Sequence, residues 1–420
     1  MKISKVAPLI VAMGCSINMQ AGDTSFASAF ADSTLRVDFV FTGSCGSAAA
    51  PGISFTSLSK YKGWGGRKVN LDKPLREGAA DVILTSMSGD TLYSNSFSTL
   101  FQEWLVSEDY SGPRAMEGTV LVPFPRDSVD ITVNLRDNRR VCVANARLRV
   151  DPADILIADY TARKPMPHSY VYRGDYPDSA KITVAILAEG YTAAEMPKFN
   201  QRAREAVDAI FDHEPFASMS ERFDFIAVES AGRESGVSIP AQGRWAETPF
   251  GSHFSTFYSD RYLTTSNVHD LYDAIISTPA RHIIVLANTE EYGGGGIFNF
   301  YTLTAADNEL FREVVVHEFG HSFAGLADEY YYENDIMEGT YPLDVEPWEP
   351  NITTRVDFGS KWQDLVDEGK ATLIEGAGYR TKGVWRGSPD CRMRTNTAPH
   401  FCKVCQDAIR EIILYYTEPI

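Results

Sequence analysis

Between positions 35 and 150 apolar and polar residues alternate in short runs, at 35–41, 82–85, 119–124, 129–135 and 141–150. A period of two puts every second side chain on one face, so these runs predict half-buried strands. Glycines at 63–66, Ser88-Gly89-Asp90 and Asp137-Asn138 supply the turns between them. The pattern predicts an all-β sandwich domain over 22–158. The stretch 160–168 carries Pro165 and Pro167 and continues neither a helix nor a central strand, so it reads as a linker.

Past the linker the period changes. Residues 182–188 are apolar but for Thr183, as a strand buried on both faces requires. Phe199, Ala203, Ala206, Ile210 and Phe211 recur at helical spacing, and 223–228 and 283–287 read as further buried strands. Four glycines at 293–296 lead into a strand expected at 297–303. Thr304 and Asp307 have the spacing of a capping box, and Leu310, Phe311, Val314 and Val315 form the buried stripe of a helix that Gly325 would end. Strands alternating with helices predict an α/β (α+β) domain over 165–420.

The first residues follow a different logic. Lys2 and Lys5 precede an apolar stretch at 6–13, and small or polar residues follow before Asp23, which predicts a secretory signal over 1–21. Cys15 follows Ala12-Met13-Gly14, a degenerate lipoprotein box, so two fates stay open: release from the cell or into the periplasm, or tethering at the outer surface or in the periplasm by lipid on Cys15. Beyond that anchor, no segment of the sequence suits a membrane.

Composition narrows the function. The 420 residues are 44% apolar, enough for a sizeable core, and the formal net charge is −17. Lys and Arg are scattered, which argues against a nucleic-acid surface. Six cysteines are too few to build the fold. Cys45 and Cys142 are candidates to pair, whereas Cys391, Cys402 and Cys405 crowd the C-terminus. With His400 those three could form a structural zinc site, although a secreted chain more readily oxidises such thiols.

The chemistry concentrates in Val314-Val315-Val316-His317-Glu318-Phe319-Gly320-His321. On a helix, residues four apart share a face, so His317 and His321 can hold one zinc ion while Glu318 approaches the catalytic water as general base. Histidines and a glutamate at the inner part of a helix with an apolar stripe are costly unless paired, because a buried unsatisfied polar group loses roughly 1–3 kcal/mol. A peptidase zinc keeps three protein ligands and an exchangeable water. Gly325 permits a sharp reversal, and the acidic pair that follows offers Asp328 first and Glu329 second as the third ligand.

The run HEFGHSFAGLADEY at 317–330 closely resembles the active-site stretch of the bacterial IgA peptidase family, secreted zinc endopeptidases related to the metzincins. SFSTLFQEW at 96–104 is similar to that family's N-terminal module, and LAEGY at 187–191 to the opening of its catalytic domain. The resemblance spans nearly the whole mature chain and implies a metzincin-like catalytic domain behind a β-sandwich. It departs from the general metzincin spacing: the glycine and third-ligand positions hold Ala324 and Ala327, with Gly325 and Asp328 one step later. It also implies a methionine turn beneath the zinc, for which Cys391-Arg392-Met393-Arg394 is the candidate.

The expected reaction is hydrolysis of peptide bonds in extracellular proteins. An extended substrate would pair with the edge strand at 297–303, and Tyr330, Tyr331 and Tyr332 are candidates either to polarise the scissile carbonyl or its oxyanion or to pack beside the site. A rival from another class is a catalytically silent surface protein whose sandwich binds a glycan or host protein. The first domain can also be a mere spacer or prop.

Overall fold

The first third holds eight strands, β1 (Phe30–Cys45), β2 (Gly52–Lys62), β3 (Ala80–Ser86), β4 (Thr91–Phe97), β5 (Gly112–Pro125), β6 (Val129–Arg136), β7 (Cys142–Val150) and the short β8 (Ala158–Asp159); the five alternating runs fall in β1, β3, β5, β6 and β7, whereas β2, β4 and β8 lie outside the predicted runs. The computed structural model describes residues 25–45, 50–106, 112–332 and 340–420, so the expected signal and Cys15 lie outside the described residues. The strands form two four-stranded sheets, β5-β1-β2-β8 and β4-β3-β6-β7. Leu35, Val37, Phe39 and Phe41 of the first sheet meet Val82, Leu84, Ile131 and Val133 of the second in one apolar core. The module is not purely β, which corrects the all-β expectation. After a single turn, α1 (Phe26–Ala29), it contains α2 (Leu100–Val106), whose Phe101 and Trp104 are three residues apart on one helix face and fully join that core.

The second half is built on β9 (His168–Arg173), β10 (Ile182–Glu189), β11 (Phe223–Val228), β12 (His282–Ala287), β13 (Gly294–Ile297) and β14 (Tyr301–Ala305). They make one sheet in the order β13-β14-β12-β10-β11-β9. The four inner strands run parallel, and the edge strands β13 and β9 run antiparallel to their neighbours. Helices α3 (Met196–Phe211), α5 (Phe311–Ala324) and α7 (Lys403–Thr417) cover one face, burying Val184, Ile186, Phe223, Phe225, Ile284 and Leu286. On the other face α4 (Val268–Ala274) packs over Ala185, Leu187, Ile226 and Val285, joined by Leu100 of the first module. Burial on both faces explains why 182–188 and 283–287 lack polar alternation.

Beside this sheet, β15 (Ile352–Thr353), β16 (Ile374–Ala377) and β17 (Arg380–Arg386) form a small sheet in the order β15-β17-β16, with α6 (Gln363–Asp367) between its first two strands in sequence. Among the described residues no helix is long and apolar enough to cross a membrane.

Three local expectations are corrected. The strand expected at 297–303 is a hairpin, because Asn299 adopts a left-handed φ of 51° and turns the chain between β13 and β14. Its flanking rings go to different neighbours, Phe298 to Trp348 and Phe300 to Phe97. Thr304 does not cap α5: it sits inside β14, and Asp307 pairs with Lys198 and Arg202 instead. The chain enters α5 through Asn308, whose side-chain carbonyl accepts the Leu310 N–H at 3.0 Å. Cys45 and Cys142 form no disulfide. The Cys45 thiol is buried and directed to the Leu105 carbonyl, while Cys142 lies at an exposed strand end and donates to the Ala144 carbonyl.

Candidate metal centre

Helix α5 is apolar on most of its circumference, with Val315, Val316, Phe319 and Phe323 in the main core. His317, Glu318 and His321 are left facing away from that core, and β13 passes directly over them. A Cβ on Gly296 would come within 2.3 Å of the Glu318 carbonyl oxygen and 2.8 Å of His321 Cβ; one on Gly294 would lie 2.7 Å from Glu318 Oε1. Only glycine lets the strand lie this close to the helix. The approaching backbone that these glycines admit is therefore α5 itself. The outer edge of β13 is not wholly open either, since Gly294 exchanges hydrogen bonds with the Arg261 carbonyl and the Leu263 N–H, each at 3.3 Å. That corrects the expectation of a free substrate edge there.

Both imidazoles are oriented through Nδ1. His317 Nδ1 donates to the Arg392 carbonyl at 2.9 Å, and His321 Nδ1 to the Leu326 carbonyl. Each ring thus presents Nε2 to the same point, as metal-binding imidazoles do when their other nitrogen is held. Gly325, at a φ of 66°, ends α5, and Leu326 N–H returns to the Gly320 carbonyl at 3.2 Å. The chain then doubles back under a clasp: the Asn351 side chain accepts from Ala327 N at 2.7 Å and donates to Ala327 O at 2.9 Å. This delivers Asp328 to the rings. Its Oδ1 lies 3.0 Å from His317 Nε2 and 3.3 Å from His321 Nε2, and the two Nε2 atoms are 3.0 Å apart.

Three acceptor atoms converging at this range repel one another unless they share a cation. Ligands about 2.0–2.1 Å from a tetrahedral zinc ion stand about 3.3 Å apart, so the triangle fits such an ion. The charges agree in sign. Burial opposes ionisation, yet Asp328 beside it raises His321 to about 9, and His321 in turn holds Asp328 well below the usual carboxylate range. Taking up a metal displaces that proton.

Residues 173–374 match the family described as IgA Peptidase M64, and residues 25–146 match Peptidase M64 N-terminus. The chain belongs to the IgA peptidase M64 family. The family indicates a metallopeptidase, and the mixed α/β domain behind an N-terminal domain agrees with it. No curated protein matches the chain.

In this M64 chain Glu318 is half-buried, and that burial raises its carboxyl above the usual range. A second half-buried acid comes from the first module. Glu103 of α2 accepts the Tyr262 hydroxyl at 2.6 Å, and burial pushes it up to about 7, with His321, Asp328 and Glu318 close enough to act on it. Met393 is fully buried where it was expected: a Cβ on Gly320 would lie 2.8 Å from its sulfur. Its carbonyl accepts the Glu329 N–H at 2.8 Å, so the 391–393 strap touches both His317 and the Asp328 turn.

The three tyrosines separate. Tyr330 stacks on His317 with ring centroids 6.4 Å apart, Tyr331 packs on Gly376, and Tyr332 is exposed and takes the Arg261 guanidinium. Glu329 turns away from the rings into Cys391, Cys402 and Cys405. His400, expected beside those thiols, is exposed and offers only its carbonyl, to Arg392 N–H. No sequence pattern points to Tyr379, whose hydroxyl donates to Asp328 Oδ2, or to the Asn351 clasp. Glu103 lies within the 96–104 run that resembles the family's N-terminal module, but nothing in that run places it near Glu318.

Proposed function

We propose that this M64 member is a secreted zinc endopeptidase with a metzincin-like catalytic domain, in which His317, His321 and Asp328 hold one zinc ion and Glu318 is the general base. The observation that carries the reading is the triangle of two Nε2 atoms and one carboxylate oxygen, 3.0–3.3 Å on each side, with Glu318 on the intervening turn of helix. Zinc supplies a lowered pKa for its water and polarises the scissile carbonyl. The chain's own residues do the rest. Glu318 takes a proton from the attacking water at its carboxylate and returns it to the leaving amine nitrogen. Burial raises its pKa, which suits a carboxylate that must give back the proton it accepts. Tyr330, stacked on His317, is the tyrosine best set to donate to the carbonyl oxygen as charge develops there.

The substrates are peptide bonds of extracellular proteins, and the 1–21 signal would deliver the enzyme outside, released or held by lipid on Cys15. Purified Glu318→Gln should keep its zinc and lose cleavage of unfolded casein, and a chelator should abolish wild-type cleavage until zinc is restored. Cleavage by the variant at the native rate would remove Glu318 from its role. Chelator-insensitive cleavage would remove the metal. No hydrolysis by the zinc-loaded wild type would favour the silent binding protein.

A further inference from the structure

Behind the Asp328–Glu329 turn lies a second set of donor atoms that peptide hydrolysis does not use. Glu329 Oε1 is 3.1 Å from Cys405 Sγ and 3.9 Å from Cys402 Sγ, and Cys391 Sγ is 3.7 Å from Cys405 Sγ. All four ligand atoms lie within 4.8 Å of one another. Glu329, Cys391 and Cys405 are buried, and Glu329 Oε2 has no hydrogen-bond partner although no solvent reaches it. A dry carboxylate among three sulfurs, with one oxygen orphaned, is a costly arrangement that a cation in its midst would relieve.

We propose that Glu329, Cys391, Cys402 and Cys405 bind a second, structural zinc ion. Cys402 and Cys405 are spaced as C-x-x-C, with Cys402 immediately before the first turn of α7, where the helix N-terminus favours thiolates. The Cys402 N–H already donates to Cys391 Sγ at 3.2 Å. Three thiolates and one carboxylate complete a closed tetrahedron with no place for water, which marks a structural rather than a catalytic ion. A disulfide would satisfy the cluster less well: it pairs two sulfurs, leaves the third over and does nothing for Glu329.

The second ion would brace the first site without depending on the peptidase reading of it. It would bolt the backbone next to Asp328 to the strap that carries the Arg392 and Met393 carbonyls, and bolt both to α7. Three of its four ligands lie beyond residue 374, where the match to the peptidase family ends.

The test is metal counting on the full-length protein purified without chelator. Wild type should carry two zinc ions per chain. The double variant His317→Ala/His321→Ala should keep one, and its cobalt-loaded form should show the intense thiolate-to-metal charge-transfer absorption that imidazole and carboxylate ligands cannot give. Glu329→Gln and Cys402→Ser should lower the count to one while the imidazole site still binds. If the cysteine variant fails to fold, the histidine variant still decides, because its thiols are untouched. The proposal is overturned if the histidine variant is metal-free, if its cobalt form lacks the thiolate band, or if mass mapping of the wild type finds a disulfide among the three cysteines.

Discussion

A hydroxyl that touches no metal sets the orientation of Asp328. Tyr379 donates to Oδ2 while Oδ1 faces the imidazoles, so the carboxylate cannot rotate without losing that bond. Outer partners of this kind commonly contribute 10–100-fold in metal affinity. Tyr379→Phe should therefore weaken zinc binding by roughly that factor in a competition titration against a chromogenic chelator, with the fold intact by circular dichroism. An unchanged affinity would show that the turn alone fixes Asp328. Away from the site, His282 is packed between Phe323 and Tyr416, and burial, reinforced by Arg281, pushes its pKa down to about 3. Above about 6.5 the ring is neutral folded or unfolded, and its contribution to stability is fully present. As pH falls toward 3 only the unfolded chain takes the proton, so stability is lost at up to about 1.4 kcal/mol per pH unit. Between pH 7 and 5 urea unfolding of the wild type should lose about 2 kcal/mol more than that of His282→Gln. Parallel losses would show that the ring is solvated in the folded state.

What sequence could reveal about the site divides along chain separation. His317, Glu318 and His321 share one helix, so their i, i+4 spacing is local information, and the reversal at Gly325 puts Asp328 within reach. The partners that orient them are Arg392, Tyr379 and Asn351, 75, 51 and 24 residues from the atoms they hold. No local pattern encodes such pairings.

At the level of elements, the hairpin of β13 and β14 shows how a correct local signal acquires the wrong partner. Four consecutive glycines announce a close backbone contact, but periodicity cannot say whose backbone, and α5 on one side with Arg261 and Leu263 on the other, rather than an incoming peptide, take it. Thr304 illustrates the same limit: its spacing to Asp307 imitates a cap, and pairing with Leu286 and Gly294 claims it for the sheet. The glycine contact has a measurable consequence. Gly296→Ala sets a methyl against the Glu318 carbonyl and His321, forcing strand and helix apart, and overpacking of this kind typically costs 1–3 kcal/mol. The variant should lose activity as well as stability, because the displaced turn carries the proposed base. Gly359→Ala, whose added Cβ would meet only the Gln363 side chain at 3.9 Å, should change neither by more than about 0.5 kcal/mol equivalent. If both variants behave alike in thermal melts and casein cleavage, β13 is not pressed on the helix.

Across the whole molecule the first module is a structural partner of the second rather than a tethered spacer. Arg36 of β1 reaches Asp273 and the His269 carbonyl of α4, and Arg281 beside β12 reaches Thr34 and lies over Trp64. The Asn70 amide donates to the Tyr415 and Glu418 carbonyls at the end of α7, and Phe97 stacks on Phe300 in the hairpin that overlies the candidate site. Glu103 then places an acid of the sandwich within the electrostatic reach of Glu318. Contacts distributed over β1, β4, α2 and the loop before β3 couple the two halves more strongly than a covalent linker at 160–168 alone could. The full chain should unfold in a single calorimetric transition, and a fragment spanning 165–420 should melt well below it or fail to accumulate in soluble form, since Leu100 would leave an apolar site on the large sheet and Arg281 would lose its aromatic cover. A fragment with the full-length melting temperature and full casein-cleaving activity would reduce the sandwich to a passenger, and Glu103 with it.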